Sequence, residues 1–183
     1  MEKDIIFVTG NKNKLIEVSE ILGYQIKNKN VDLPEIQAIN VIDVVREKVK
    51  VAYEILKVPV LVEDTGIYFN TLNKYPGALI KWLLDSTGDV GIYNSLAAYK
   101  DKSATAQTIV GTYDGKEYKF YSGEMDGTIV EPRGELGFGW DKIFEISKLK
   151  KTVAELTKEE KNKISMRKIA FENFKNGIFL KLD

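Results

Sequence analysis

Ile5 to Thr9 form a short, mostly apolar run that closes on Gly10, and from Asn11 onward Leu15, Val18, Ile21 and Leu22 recur at helical spacing as far as Gly23. A run too short for a helix, turning at a glycine into a 3.6-residue period, predicts a buried strand feeding an amphipathic helix. Pro34 keeps the later stretch VDLPEIQ extended or turned. Val41, Val44, Val45, Ala52, Ile55 and Leu56 then mark a second amphipathic helix, and after Pro59 the residues Val60, Leu61 and Val62 make another apolar strand. A β-α-α-β opening of this kind is consistent with an α/β sheet.

Further along, Leu79, Ile80, Leu83 and Leu84 predict a third helix ended by the Ser-Thr-Gly-Asp cluster at Ser86 to Asp89, and Ile92 to Tyr99 a fourth. From Ala104 to Val130 β-branched and aromatic residues alternate around Asp114-Gly115, which predicts an antiparallel portion with a tight hairpin. Thr157 to Glu160 has the spacing of a capping box, and a last helix is expected from Ser165 to about Asn176. No repeat or biased linker divides the chain. Its 183 residues, 44% hydrophobic and 30% charged, therefore read as one domain over 1–183 with one sizeable core.

The 27 basic and 27 acidic residues cancel, so bulk charge draws the chain neither to nucleic acid nor to an anionic membrane. Cysteine and histidine are both absent. Their absence excludes disulfides, thiolate or imidazole metal sites, and any Ser-His-Asp triad. Carboxylate, lysine, hydroxyl and hard-metal chemistry remain. No apolar run approaches the roughly 20 residues that span a bilayer, and the start MEKDIIFVTG lacks the features of a signal peptide. A cytoplasmic protein is expected.

Five groups of residues could carry chemistry. Thr9, Gly10, Asn11, Lys12, Asn13 and Lys14 run from a strand end into a helix start, where backbone N–H groups and two lysines could cradle phosphate. The same segment also reads as an ordinary polar turn, since it lacks the Walker A spacing. Glu63 and Asp64 directly follow Val60-Leu61-Val62, and in open α/β sheets ligands bind beyond strand ends. Adjacent carboxylates there would suit a divalent cation such as magnesium, or simply cap the turn before Gly66. Lys48 falls on the apolar face of the second helix, where it either snorkels to solvent or reaches a polyanion. Phe138, Gly139, Trp140 and Asp141 could stack on a base or fill the core. Lys161, Ser165 and Arg167 bracket the start of the last helix, with a solvated charged surface as the default reading.

In their order along the chain, FVTGNKNKLIEV, VDLPEIQ, VLVEDTG with KYPGALIKWLL, GTIVEPRGELGFGWDKIF and AELTKEEKNKISMR match a known pattern. The chain resembles the inosine triphosphate pyrophosphatases, also called XTP/dITP diphosphatases, from its first strand to Arg167. The resemblance implies an elongated α/β fold with a central, strongly twisted mixed sheet, helices flanking it, two lobes around a cleft and a homodimer. It implies magnesium-dependent cleavage of ITP, dITP or XTP between the α- and β-phosphates, giving the monophosphate and pyrophosphate.

By position, the resemblance makes Thr9, Asn11, Lys12, Lys14 and Lys48 the polyphosphate contacts, with Gly10 and Asn13 in the same loop. Glu35 and Asp64 become metal ligands, Asp64 also the general base, and Thr65 adjoins them. Phe138 to Asp141 become the base and sugar wall, and Lys161, Ser165, Met166 and Arg167 the base-recognition end. A 6-keto purine offers an acceptor where adenine offers an amine, so donors such as Lys161 and Arg167 would favour hypoxanthine or xanthine. Met166 stands where the family commonly has histidine, and a thioether cannot donate as an imidazole does. Two other classes compete: a nucleotide sensor that does not hydrolyse, which would have no need of Glu35 and Asp64 together, and an RNA-binding domain, which neutral charge disfavours.

Overall fold

The computed structural model describes residues 4–181, so Met1 to Lys3 and the last two residues of the expected 1–183 domain lie outside the described ones. The first strand and helix form where the periodicity puts them. Strand β1 covers Ile6–Val8 and helix α1 Lys12–Leu22, ended by Gly23 in a left-handed conformation. After β2 (Asn28–Lys29), helix α2 (Val41–Leu56) buries Val41, Val44, Val45, Val49 and Ala52. Strand β3 then runs for ten residues, Val60–Phe69, and pairs antiparallel with the short β4, Pro76–Gly77.

Helix α3 spans Ile80–Ser95. The cluster at Ser86 to Asp89 kinks it instead of ending it: Gly88 has φ 67° and ψ 177°, while the Ser86 and Thr87 hydroxyls donate to the Trp82 and Leu83 carbonyls. The fourth helix expected over Ile92 to Tyr99 is thus the far arm of α3, and it stops at Ser95. The predicted hairpin is β5 (Ser103–Tyr113) and β6 (Tyr118–Ile129), with Asp114 Oδ1 accepting from the Lys116 and Glu117 N–H groups across the turn. Two short strands, β7 (Phe144–Ile146) and β8 (Lys151–Thr152), precede α4 (Lys158–Ile164) and α5 (Met166–Asn176).

The strands form one mixed sheet in the order β2-β1-β3-β5-β6-β7-β8, with β4 on β3. β1 is parallel to β2 and β3, and the other pairs are antiparallel. Among the described residues, three apolar cores surround it. One lies between the sheet and α1 and α5, around Phe7, Leu61, Val110, Tyr121 and Phe171. A second lies under α2, around Val45, Val62, Ile109 and Phe120. The third fills the other end, where Ile67, Phe69, Ala106, Met125 and Phe144 meet Ile80 and Ile92 of α3. The long strands β3, β5 and β6 contribute to all three, so they bridge two ends of the molecule, and the middle of β3 forms the waist between them.

Candidate active site

Loop 9–11 enters α1 already capped. Thr9 Oγ1 accepts from Asn11 N–H at 3.1 Å, and Asn11 Oδ1 accepts from Asn13 and Lys14 N–H at 2.9 and 3.2 Å. An oxygen thus already sits at the helix N-terminus, where an anion would sit. Phosphate would displace the Asn11 carboxamide or rely on the lysines beside it. Lys12 is exposed and Lys14 partly buried.

Glu63 and Asp64 do not follow the end of their strand, as the sequence suggested; β3 continues through both to Phe69. The strand that ends is β1, at Val8, which leaves residues 62–64 of β3 facing the loop that opens α1. Because side chains alternate along a strand, the adjacent acids part company. Leu61 and Glu63 face α1 and α5, whereas Val62 and Asp64 face α2.

On the α1 side, Glu63 has no exposed side-chain surface and meets Lys14 Nζ at 2.7 Å and Arg167 Nε at 3.4 Å. Burial alone would raise its carboxyl pKa; Arg167 and Lys14 together outweigh that and bring it down to about 2. Arg167 also pairs with Glu17 through Nη1. Burial opposes the Arg167 charge, but Glu63 and Glu17 hold its pKa above the usual value. Glu17 in turn meets Lys161 at 3.3 Å, and Lys161 meets Asp141 at 3.0 Å. The reading of Lys161, Ser165 and Arg167 as solvated surface is therefore corrected: all three are buried, the two cations in a row of alternating charges.

On the α2 side, Lys48 donates to Asp64 Oδ2 at 2.7 Å and pairs with Glu35. Burial would depress the Lys48 pKa, and the two carboxylates reverse this and raise it. Thr65 N–H donates to the other Asp64 oxygen at 2.8 Å, and Thr65 Oγ1 lies 2.8 Å from Thr108 Oγ1. Among the described residues, no group of three or more acidic side chains converges as a metal cage. Glu35 and Asp64 nevertheless already hold one cation between them, the Lys48 ammonium. Two hard oxygen ligands beside an open cleft fit an ion that takes its remaining positions from water and phosphate.

Two cavities flank the first turn of α1. One, about 670 Å³, runs from Thr9 and Lys14 past Asn30, Glu35 and Lys48 to Asp64. The other, about 330 Å³, is lined by Asn13, Ile16, Glu17, Phe138, Leu156 and Lys161 among others. Lys161 Nζ stands 4.6 Å from the centre of the Phe138 ring, which is partly exposed. Asp141 shapes this wall. Its Oδ2 accepts from Phe138 N–H and from Lys161, both at 3.0 Å. Gly137 is obligatory here, since it has φ +82° and a Cβ would lie 2.3 Å from Asp141 Oδ2. Burial raises the Asp141 pKa against the pull of Lys161.

Trp140 packs edge-on against Phe144 at the rim of the far core, and Gly139 turns the chain at φ +65°. Ser165 caps α5 by accepting from Lys168 N–H, and the Met166 side chain is buried in the far core. None of Trp140, Ser165, Met166 and Arg167 lines the aromatic cavity. Glu17 and Lys81 went unremarked in the sequence. Glu17, between Leu15 and Val18, carried the same signal as Lys48, a charge on an apolar helix face. Lys81, in the first turn of α3, borders the larger cavity and is legible only from the fold.

The mixed α/β sheet thus carries an aromatic pocket and a lysine-lined cleft on either side of one helical turn. The sequence pattern of the Ham1 family matches residues 5–177, and the chain belongs to that family. It is 46% identical to an inosine triphosphate pyrophosphatase of Schizosaccharomyces pombe, over 92% of this chain and 91% of that one. A second, from Phaeosphaeria nodorum, is 44% identical over 97% and 95%. Among solved structures, the Ham1 protein of Staphylococcus aureus superposes with a TM-score of 0.83 at 25% identity, covering 96% of this chain and 98% of that one. A HAM1 protein from Coxiella burnetii gives 0.83 at 26%, over 95% and 97%.

Proposed function

We propose that this chain is a nucleoside-triphosphate pyrophosphatase that hydrolyses ITP, dITP and XTP between the α- and β-phosphates, releasing the monophosphate and pyrophosphate. The observation that carries this reading is the pair of cavities sharing one helical turn. A base in the pocket of Phe138 and Lys161 would direct its phosphates past Lys14 toward Lys48 and Asp64. The pyrophosphatase relatives named above support the same substrate class.

Hydrolysis of a phosphoanhydride needs an oriented water, charge neutralisation and in-line geometry. Thr65 N–H fixes one oxygen of Asp64, while Lys48 occupies the other. A polyphosphate that draws Lys48 away would leave Asp64 Oδ2 free to take a proton from the attacking water. Lys14 and Lys48 would hold the phosphates, with Lys12, Asn11 and Thr9 at the mouth. Mg²⁺ held by Glu35 and Asp64 would supply further charge neutralisation at the phosphate oxygens. Lys161 would offer a donor to a 6-keto group. The Arg167 guanidinium is engaged by Glu17 and Glu63, so it would act behind the pocket wall.

A homodimer acting in the cytoplasm on free nucleotides, with neither nucleic acid nor membrane as partner, completes the proposal. Among the described residues no helix is long and apolar enough to cross a membrane. Product analysis with ITP, XTP, GTP and ATP in Mg²⁺ tests it. Pyrophosphate release from ITP and XTP well ahead of ATP is expected; stepwise phosphate release would point to a phosphatase, and tight binding without monophosphate to a sensor.

A further inference from the structure

The Glu63 side chain has no exposed surface although the residue stands in the wall of the larger cavity, and it joins both halves of the site. One of its oxygens meets Lys14 in the polyphosphate cleft, and the other meets Arg167. Arg167 is also bound by Glu17, which lines the aromatic pocket. Both contacts of Glu63 fall short of optimal. Arg167 Nε is 3.4 Å away, and the Lys14 approach lies outside hydrogen-bond geometry, so Oε1 is a buried acceptor without a hydrogen bond. A purely structural buried pair saves its desolvation cost through short, aligned and often bidentate bonds. A carboxylate shared by two cations, Arg167 at 3.4 Å and Lys14 close at 2.7 Å but misaligned, can instead be redistributed between them at low cost.

We propose that Glu63 is a positioning residue that couples the aromatic pocket to the polyphosphate cleft through Arg167 and Lys14. A base entering the pocket perturbs Glu17 and Arg167. When Arg167 loosens its hold on Glu63, Lys14 becomes the chief partner of that carboxylate and forms the missing hydrogen bond to Oε1. Lys14 is then fixed before phosphate arrives, and phosphate binding spends less on ordering it. The inference rests on the proposed function only in assigning a base to one cavity and a polyphosphate to the other.

The two ligands can be offered separately, as inosine and as tripolyphosphate with Mg²⁺, and followed by calorimetry on the intact protein. Saturating inosine is expected to tighten tripolyphosphate binding at least fivefold, and the reverse titration to give the same factor. In Glu63→Gln the factor should fall below twofold. Arg167→Lys, whose single ammonium cannot fork between Glu17 and Glu63, should lose it too, and serves if Glu63→Gln does not fold. Independent binding or mutual weakening in the wild type, or an undiminished factor in a folded variant, overturns the inference. Pyrophosphate release from ITP, measured in parallel, keeps the two proposals apart: intact hydrolysis with uncoupled fragments sinks this one alone. Failure of either fragment to bind wild type overturns the coupling, and the proposed function falls with it only if pyrophosphate release from ITP is absent too.

Discussion

Lys48 Nζ donates to Asp64 Oδ2 at 2.7 Å, tying α2 to the middle of β3 across the waist of the molecule. The bond holds the proposed base in place, and it must be given up for that oxygen to accept a proton.

Replacing Asp64 by asparagine keeps the shape and removes the proton acceptor. Turnover of ITP should drop by roughly 10²–10⁴-fold, while the affinity for ITP, measured by calorimetry, stays within about threefold. Undiminished pyrophosphate release from this variant would place the base on another residue.

Glu35 is the more exposed partner of Lys48 and the outer member of the proposed metal pair. Chelation of divalent ions should abolish turnover, and added Mg²⁺ restore it. Glu35→Gln should raise the Mg²⁺ concentration for half-maximal activity by roughly 10-fold or more. An unchanged Mg²⁺ requirement would remove Glu35 from the ligand set.

Glu63 has its pKa lowered from 4.5 to about 2, so its ionised form binds the folded protein more favourably than the unfolded chain. Its stabilising contribution is complete above pH 4.5 and fades as pH falls through about 2. Asp141 acts with the opposite sign. Burial raises its pKa, so the cost of its charge is relieved as the pH drops through that raised value. Denaturant unfolding between pH 5 and 2 should show stability falling in the wild type and a flatter acid limb in Glu63→Gln. Parallel acid limbs would mean that Glu63 is not held so low.

The start of α5 rests directly on β6 at Gly123, where a Cβ would lie 2.0 Å from the Met166 carbonyl oxygen and 2.5 Å from Ala170 N. Neither backbone atom can turn aside. Gly123→Ala should cost about 1–3 kcal/mol, read by denaturant unfolding, and loosen the helix that carries Arg167. Wild-type stability would contradict the close approach.

Stacking on Phe138 would hold any base, whatever its edge presents. Phe138→Ala should weaken ITP and ATP binding alike by about 1–3 kcal/mol, leaving the ratio of the two affinities nearly unchanged. A loss confined to ITP would assign base discrimination to the ring itself.

The elements legible in the sequence were those with a period and a stop: β1 and α1 before Gly23, α2 before Pro59, and the hairpin at Asp114-Gly115. The length of β3 was not legible, because Glu63, Asp64 and Thr65 read as a turn until neighbours are supplied. Those neighbours are remote. Arg167 is 104 residues from Glu63 and 150 from Glu17, and Lys161 is 20 from Asp141. A charged residue whose partner lies that far along the chain resembles solvated surface in any local window. Lys48 gave itself away by standing among valines, and Glu17 by the same test could have done so.

In β3 the alternation of side chains sends Glu63 to one layer of the protein and Asp64 to the other. Inserting a single residue between Val62 and Glu63 would carry Glu63 onto the face of Lys48 and Asp64 onto the face of Arg167. Substitutions there alter one contact at a time, whereas a one-residue frameshift within the strand would miswire both halves of the site together. Length variation should therefore collect in the connections around this strand and leave the spacing within it fixed.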